Sequence, residues 1–199
     1  MLAGTAVIVI SGALGKVLIQ WELIPAIDEW LLLALASFRN DFLNAFMNGI
    51  TQLGSAQLLI PLTLLFMFLF YRQGAYDKVK FLFALLLAWG YFNYPLKALF
   101  ARVRPDIVEA LVMESSPAYP SGHTLGAALI LPALLLTLTE GSLRKKAFPV
   151  VIFLILSVGL SRIYLGAHWP SDVLASLLGT VAFWFVYHSK TLTVALKRF

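Results

Sequence analysis

The segment Ser161-Arg-Ile-Tyr-Leu-Gly-Ala-His-Trp-Pro-Ser-Asp172 lies between two strongly apolar stretches and carries an arginine, a histidine and an aspartate. Pro170 is typical of the first turn of a helix, because a missing backbone N–H has no consequence there. The i,i+4 spacing then brings Asp172 onto the face of the helix start that carries His168. A carboxylate there can hold one imidazole nitrogen as a donor and leave a lone pair on the other, which suits a nucleophile or a base.

The composition of the chain indicates a membrane protein. Of its 199 residues, 60% are hydrophobic and only 13% are charged, and the mean hydropathy is +0.86. A soluble domain needs far more charge to cover its surface. The chain has no cysteine, which excludes disulfides and thiolate metal sites. Its net charge of +5 comes from basic residues at the ends of apolar segments, so we expect no nucleic acid partner.

Apolar segments predict an all-α, integral membrane bundle of six transmembrane helices that forms a single domain over residues 1–199. The segments are Leu2–Ile19, Ala56–Tyr71, Phe81–Phe100, Thr124–Thr139, Ala147–Leu160 and Val173–Tyr187. The first could also be a cleaved signal peptide, but no positive region precedes it and no clear cleavage site follows. Several segments are shorter than the roughly 20 residues of a full crossing, so we expect their helices to continue into a protein-lined cavity.

Between the first two segments lie two apolar stretches, Ile27–Phe38 and Phe42–Leu53, which are too short to cross a bilayer. Trp30 and the nearby phenylalanines suit helices that lie in the membrane interface. We therefore predict short interfacial helices that cover the outer end of the bundle rather than contact substrate.

The distribution of lysine and arginine predicts the orientation. One side of the membrane carries Arg72, Lys78, Lys80, Arg144, Lys145, Lys146, Lys190, Lys197 and Arg198. The other side carries Lys16, Arg39, Lys97, Arg102, Arg104 and Arg162. Because the side richer in basic residues is cytoplasmic, we expect both termini inside and the polar motifs facing outward.

Two further polar motifs accompany the first. Lys97 and Arg104 are seven residues apart, which predicts one helix face, and Pro105 is expected to end that helix. Lys97 alone could be a lysine snorkelling to the headgroups, but two stacked cations facing a cavity make an anion site. In Tyr119-Pro-Ser-Gly-His123, Ser121 is predicted to be a helix N-cap and Gly122 lets the backbone approach a ligand.

The chemistry of these groups suits attack on a phosphoryl group. Cations and the N-terminal N–H groups of a helix stabilise phosphoryl oxygens. His168 would attack phosphorus with Asp172 fixing its tautomer, and His123 would protonate the leaving oxygen and then activate water. No cluster of carboxylates or further histidines remains for a metal, so we expect none and no cofactor. The structural alternative is a buried Arg162–Asp172 ion pair with His168 at the headgroups; we interpret His188 as interfacial.

Three motifs of the chain resemble the three signature motifs of the type 2 phosphatidic acid phosphatase family, and they match at every signature position. They are Lys97-x6-Arg104-Pro105, Pro120-Ser121-Gly122-His123 and Ser161-Arg162-x5-His168-x3-Asp172. The resemblance extends over Lys97–Asp172, and it implies a metal-independent, all-helical phosphatase with a phosphohistidine intermediate. It also implies that Lys97, Arg104 and Arg162 bind phosphate, that Ser121 and Gly122 line it, and that His123, His168 and Asp172 are acid/base, nucleophile and orienting carboxylate.

The chain is similar to small bacterial members of this family related to phosphatidylglycerophosphatase B and undecaprenyl pyrophosphate phosphatases, which implies the bacterial cytoplasmic membrane. We expect phosphatidylglycerol phosphate as the lipid substrate, with undecaprenyl pyrophosphate as the alternative. Glu114 and Tyr119 are expected either to touch a headgroup or to cap and pack. A non-enzymatic lipid transporter or scaffold would also carry intramembrane charges, but it would not need a His–Asp pair beside a second histidine.

Overall fold

A computed structural model describes residues 23–196 of the chain, with side chains from residue 24 to residue 187. This part of the chain consists of α-helices and connecting loops and contains no β-strand. The helices are α1 (Leu23–Ala36), α2 (Asp41–Gln52), α3 (Ala56–Arg72), α4 (Tyr76–Phe100), α5 (Gly122–Leu138), α6 (Gly141–Tyr164) and α7 (Pro170–Leu196). The predicted first span, Leu2–Ile19, lies outside the described residues.

Four helical segments are long and apolar enough to cross a membrane. They are Asp41–Arg72, Tyr76–Phe100, Gly141–Tyr164 and Pro170–Tyr187. Helix α5 is apolar but shorter, at 17 residues. The all-helical prediction is confirmed, whereas the total of six crossings stays a prediction.

The helices are longer than the apolar segments that predicted them. Helix α6 has 24 residues, against the predicted Ala147–Leu160, and it carries Arg162 in its last turn. Long basic side chains near a helix end reach polar partners, so a helix can continue past its apolar stretch. Helix α6 thus continues past its apolar stretch as expected, whereas its entry into a protein-lined cavity stays a prediction.

Helix α5 is the centre of the bundle, in contact with α3, α4, α6 and α7. It is apolar on all sides, as expected for a helix surrounded by other helices. At Gly126, a Cβ would lie 2.3 Å from the Trp89 ring, so only glycine lets this ring pack against α5. The indole N–H of Trp89 then donates to the Gly122 carbonyl at 3.1 Å. This contact fixes the start of α5 against α4.

Basic side chains donate hydrogen bonds to the carbonyls at the C-terminal end of α5. Lys78 Nζ donates to the Thr137 carbonyl at 2.7 Å, and Arg144 donates to the carbonyls of Leu136 at 3.0 Å and Thr139 at 2.9 Å. Cations stabilise a helix C-terminus because its last carbonyls lack intrahelical partners. Two of the residues that predicted the cytoplasmic side therefore also hold this end of the bundle together.

The three motifs lie at the opposite end of the bundle, because α4 and α6 end there while α5 and α7 begin there. Helix α1 packs on α6 and α7, and α2 packs on α6, so both cover this end, whereas their position in the membrane interface stays a prediction. The turn between α2 and α3 contacts α5 closely, since a Cβ at Gly54 would lie 2.6 Å from the His123 carbonyl oxygen.

Candidate active site

A cavity of about 190 Å³ opens at the end of the bundle where the motifs meet. Its wall includes residues from all three motifs and one further carboxylate: Lys97, Arg104, Gly122, His123, His168 and Glu114. The other predicted site residues lie one layer behind this wall, where Arg162 contacts Glu114 and Asp172 contacts His168. Residues separated by up to 71 positions in the sequence are thus brought to one cavity.

His168 lies in the loop between α6 and α7 and is 1% exposed. Its Nε2 is 3.3 Å from Arg104 Nη1, and its Nδ1 is 3.5 Å from Asp172 Oδ2. Because a guanidinium only donates, the Nε2 atom carries the lone pair and the proton is on Nδ1, facing the carboxylate. Burial, followed by the positive charges of Arg162 and Arg104, lowers the pKa of His168 well below its ordinary value. The imidazole is therefore neutral, as a nucleophile requires.

Asp172 is held in turn by groups that the sequence did not reveal. Its Oδ1 accepts from Arg102 Nη1 at 2.6 Å, and its Oδ2 accepts from the Trp169 backbone N–H at 3.0 Å. Arg102 also bonds Asp28 of α1 at 2.7 Å, and Asp28 accepts from the backbone N–H of Ser171 at 2.8 Å. Both oxygens of Asp172 are fixed by these contacts, so its position relative to the imidazole is fixed as well.

Sequence reasoning missed Arg102 and Asp28 because it treated them as an outer basic residue and as part of a covering helix. The sequence did contain a signal for Asp28, because it is a carboxylate within a short apolar stretch. That stretch was predicted at the same end of the bundle as several arginines. Asp28 is 1% exposed, so its charge needs a buried partner.

The prediction that Lys97 and Arg104 share one helix face is wrong. Helix α4 ends at Phe100, where Ala101 adopts a left-handed conformation (φ 43°) and its N–H bonds the Lys97 carbonyl at 2.9 Å. Arg104 therefore reaches the cavity from a loop, where its Nε donates to the Ser116 carbonyl at 2.8 Å. Lys97 Nζ donates to the carbonyl of Pro117 in the same loop. Both cations still line the cavity.

The proposed alternative of an Arg162–Asp172 ion pair is also wrong, because Asp172 pairs with Arg102. Arg162 forms its salt bridge with Glu114 and donates to Thr51 Oγ1 at 3.0 Å. Burial acts to raise the pKa of Glu114, but the charges of Arg162 and Arg104 outweigh it and leave that pKa below its ordinary value. Glu114 is therefore a charged carboxylate inside a group of cations.

The second motif begins α5. His123 lies in its first turn, with a side chain that is 22% exposed. Ser121 occupies the predicted N-cap position, but its hydroxyl contacts Thr124 Oγ1 at 3.0 Å and its carbonyl accepts from Ser176 at 3.1 Å. The side chain of Ser121 thus faces the bundle, and its contact with phosphate stays a prediction.

The two residues left undecided by the sequence have different surroundings. Glu114 lines the cavity, whereas Tyr119 is 3% exposed and packs its ring on Phe100 with centroids 4.4 Å apart. Burial, the largest cause, raises the pKa of Tyr119 to about 12. Tyr119 therefore belongs to the packing beneath the loop. The side chain of His188 is not among those described.

Comparison with known proteins agrees with this arrangement. Residues 77–193 match the PAP2 superfamily. Phosphatidylglycerophosphatase B of Bacillus subtilis is 34% identical over 193 residues, covering 91% of this chain and 90% of the relative. Undecaprenyl-diphosphatase BcrC of the same organism is 32% identical over 155 residues, covering 76% of each chain.

A solved structure is similar along nearly the whole chain. It is the crystal structure described as the first transmembrane PAP2-type phosphatidylglycerolphosphate phosphatase from Bacillus subtilis. The two chains superpose with a TM-score of 0.78 at 30% identity, over 96% of this chain and 97% of the other. The likeness therefore includes both the helical framework and the segment that carries the motifs.

Proposed function

The chain belongs to the PAP2 superfamily, and we propose from that premise that it is a membrane lipid phosphatase that hydrolyses the phosphomonoester of phosphatidylglycerol phosphate. Its relatives are phosphatases, and the chain is a phosphoric ester hydrolase. The substrate is proposed from the relative that matches about nine-tenths of the chain, phosphatidylglycerophosphatase B. A second cavity of about 190 Å³ adjoins the first and shares Ala56, Trp89 and Asn93 with it. A lipid substrate agrees with this arrangement, because a lipid needs room beside the site for more than its phosphate group.

The observation that carries the proposal is the pair of contacts made by the His168 ring. Asp172 faces one ring nitrogen, and Arg104 faces the lone pair on the other. A phosphate that takes the hydrogen bonds of Arg104 would bring its phosphorus next to this lone pair. The site would then align nucleophile and phosphorus, which is the main task in phosphoryl transfer.

In the first step, His168 Nε2 attacks phosphorus while the bond from phosphorus to the lipid oxygen breaks. His123 donates a proton to that oxygen, so the lipid alcohol leaves neutral.

The phosphoryl oxygens are neutralised by Lys97, Arg104 and Arg162. The N-terminal N–H groups of α5, beside Ser121 and Gly122, assist these cations. The Asp172 carboxylate, 3.5 Å from Nδ1, stabilises the ring as it becomes positive.

In the second step, His123 accepts a proton from water, and the water oxygen attacks phosphorus as the P–Nε2 bond breaks. Inorganic phosphate leaves and His168 regains its lone pair. The same histidine serves as acid and then as base, because the second step reverses the proton transfer of the first.

The proposed reaction uses no metal, because the three cations neutralise the charge that a metal would otherwise balance. Among the residues with described side chains, no three His, Asp or Glu side chains form a group that could hold a metal ion. The test is phosphate release from the lipid in the presence of a chelator. Full activity is expected, and loss of activity that returns on adding a divalent cation contradicts this part of the proposal.

We further propose six crossings in one domain of residues 1–199, with both termini in the bacterial cytoplasm and the cavity facing outward. The basic side chains Lys78 and Arg144 at the end of the bundle opposite the cavity support this orientation. Because the chain has no cysteine, single cysteines can report accessibility. An impermeant maleimide should label Met113→Cys in intact cells and Gln73→Cys only after permeabilisation; the reverse result contradicts the orientation.

Undecaprenyl pyrophosphate is the second candidate substrate, favoured by the similarity to BcrC. The deciding experiment compares kcat/KM in liposomes for phosphatidylglycerol phosphate, phosphatidic acid and undecaprenyl pyrophosphate. The proposal expects the highest value for phosphatidylglycerol phosphate. A higher value for the pyrophosphate transfers the assignment to that lipid. If phosphate is released from none of the three lipids, the assignment as an enzyme is contradicted and a transporter or scaffold is favoured.

A further inference from the structure

The carboxylate of Glu114 lies where three cationic or proton-donating side chains meet. It forms a salt bridge with Arg162, its Oε2 is 3.7 Å from Arg104 Nη2, and its Oε1 is 3.9 Å from His123 Nδ1. In the proposed function, Arg162 and Arg104 bind the phosphoryl oxygens of the substrate and His123 faces the oxygen of the leaving lipid. Carboxylate and phosphate oxygens accept hydrogen bonds from a guanidinium in the same way. The two anions therefore compete for one position.

We infer that Glu114 occupies the phosphate position in the resting enzyme and that the phosphate of substrate or product displaces it. This inference rests on the proposed function. The Arg162 side chain is only 2% exposed, so an unpaired charge there would be strongly destabilising. Glu114 supplies the negative charge when phosphate is absent, and an incoming phosphate supplies it in turn. Arg162 stays paired throughout the exchange.

The position of Glu114 in the chain allows this exchange without opening the loop. Its neighbour Met113 is fully exposed, and the Glu114 side chain itself is 25% exposed, at the mouth of the cavity. On either side the loop is anchored by backbone hydrogen bonds, from Leu111 N–H to the Leu165 carbonyl and from Ala118 N–H to the Arg102 carbonyl. A rotation of the Glu114 side chain toward water is therefore sufficient to vacate the site.

The competition has a definite consequence for affinity. When only part of a protein population has an open site, the apparent Kd equals the intrinsic Kd divided by the open fraction. Glu114 should therefore weaken the binding of lipid phosphate and of inorganic phosphate by the same factor. This prevents several cations around one small cavity from retaining the product.

The test compares Glu114→Gln with Glu109→Gln, a matched loss of one carboxylate from an exposed position of the same loop. Binding of inorganic phosphate to each purified protein in detergent is measured by calorimetry, and KM is measured with phosphatidylglycerol phosphate. For Glu114→Gln we expect the Kd for phosphate to fall about five- to tenfold, as the site becomes open. KM should fall by a similar factor, and Glu109→Gln should match the wild type in both.

An unchanged or higher Kd for phosphate in Glu114→Gln overturns the inference, because the carboxylate would then not compete with phosphate. If thermal unfolding finds that variant unfolded, Glu114→Asp replaces it; its shorter side chain withdraws from Arg162, so an intermediate Kd is expected and an unchanged one overturns the inference. Failure of the proposed function is a separate result, in which the wild type binds phosphate but releases none from any lipid.

Discussion

The two histidines of the cavity differ in how firmly they are held. His168 is 1% exposed, and Asp172, Arg102 and Asp28 form a continuous series of contacts behind it. His123 has a 22% exposed side chain and faces Glu114 at 3.9 Å, a carboxylate that is itself 25% exposed. A nucleophile benefits from one fixed orientation. In the proposed mechanism the acid/base group serves first the lipid oxygen and then water, so it benefits from freedom to move.

The largest effect should come from His168→Ala. The variant has no group to form the bond to phosphorus, so we expect kcat with phosphatidylglycerol phosphate to fall by about 10⁴-fold or more. Phosphate release in detergent measures this, and thermal unfolding confirms that the variant is folded. Residual activity near the wild type would remove His168 from the role of nucleophile.

Asp172→Asn should have the next largest effect. The variant keeps the shape of the side chain but loses the charge that selects the His168 tautomer, and orienting carboxylates in hydrolase triads contribute about 10³–10⁴-fold to kcat. Asp106→Asn, at an exposed position of the loop between α4 and α5, is the control and should match the wild type. A loss of less than tenfold in Asp172→Asn would mean that the imidazole is oriented by other contacts.

His123→Ala distinguishes the role of His123 as acid in the first step from its role as base in the second, because only some leaving groups need a proton. With a lipid alcohol as the leaving group we expect kcat to fall about 10²–10⁴-fold, the usual contribution of a general acid or base. With p-nitrophenyl phosphate the leaving group needs no proton, so the first step should be nearly as fast as in the wild type. Rapid mixing measures the burst of nitrophenol, and an equal loss with both substrates would contradict the assignment of His123 as the acid.

A smaller effect is expected from Arg102→Gln, which removes the contact behind Asp172. Groups that hold metal ligands from behind commonly contribute about 10–100-fold to activity, and we expect Arg102 to contribute similarly. We expect kcat to fall within this range while KM is unchanged, since Arg102 bonds Asp172 and Asp28 rather than the cavity. Asp28→Asn should have the same direction and a lesser magnitude. A rise in KM with kcat unchanged would instead assign Arg102 to substrate binding.

Much of the framework could be predicted from local sequence. The apolar segments located α3 to α7, and Pro170 marked the start of α7. Long-range pairing could not be predicted in this way. The left-handed turn at Ala101 moved Arg104 off the helix, and the i,i+4 contact of Asp172 with His168 was predicted, but the ion pairs of Asp172 with Arg102 and of Arg162 with Glu114 were not. Spacing identifies neighbours within one helix, whereas ion pairs between loops depend on how the helices pack.

The most direct test of the proposed mechanism is to locate phosphate on the enzyme during turnover. His123→Ala is mixed with p-nitrophenyl phosphate, quenched in alkali, where phosphohistidine survives, and its peptides are examined by mass spectrometry. We expect one phosphate on His168, attached through Nε2, and none in the His168→Ala variant. Phosphate on any other residue, or no phosphoenzyme while nitrophenol is released, would contradict the phosphohistidine mechanism.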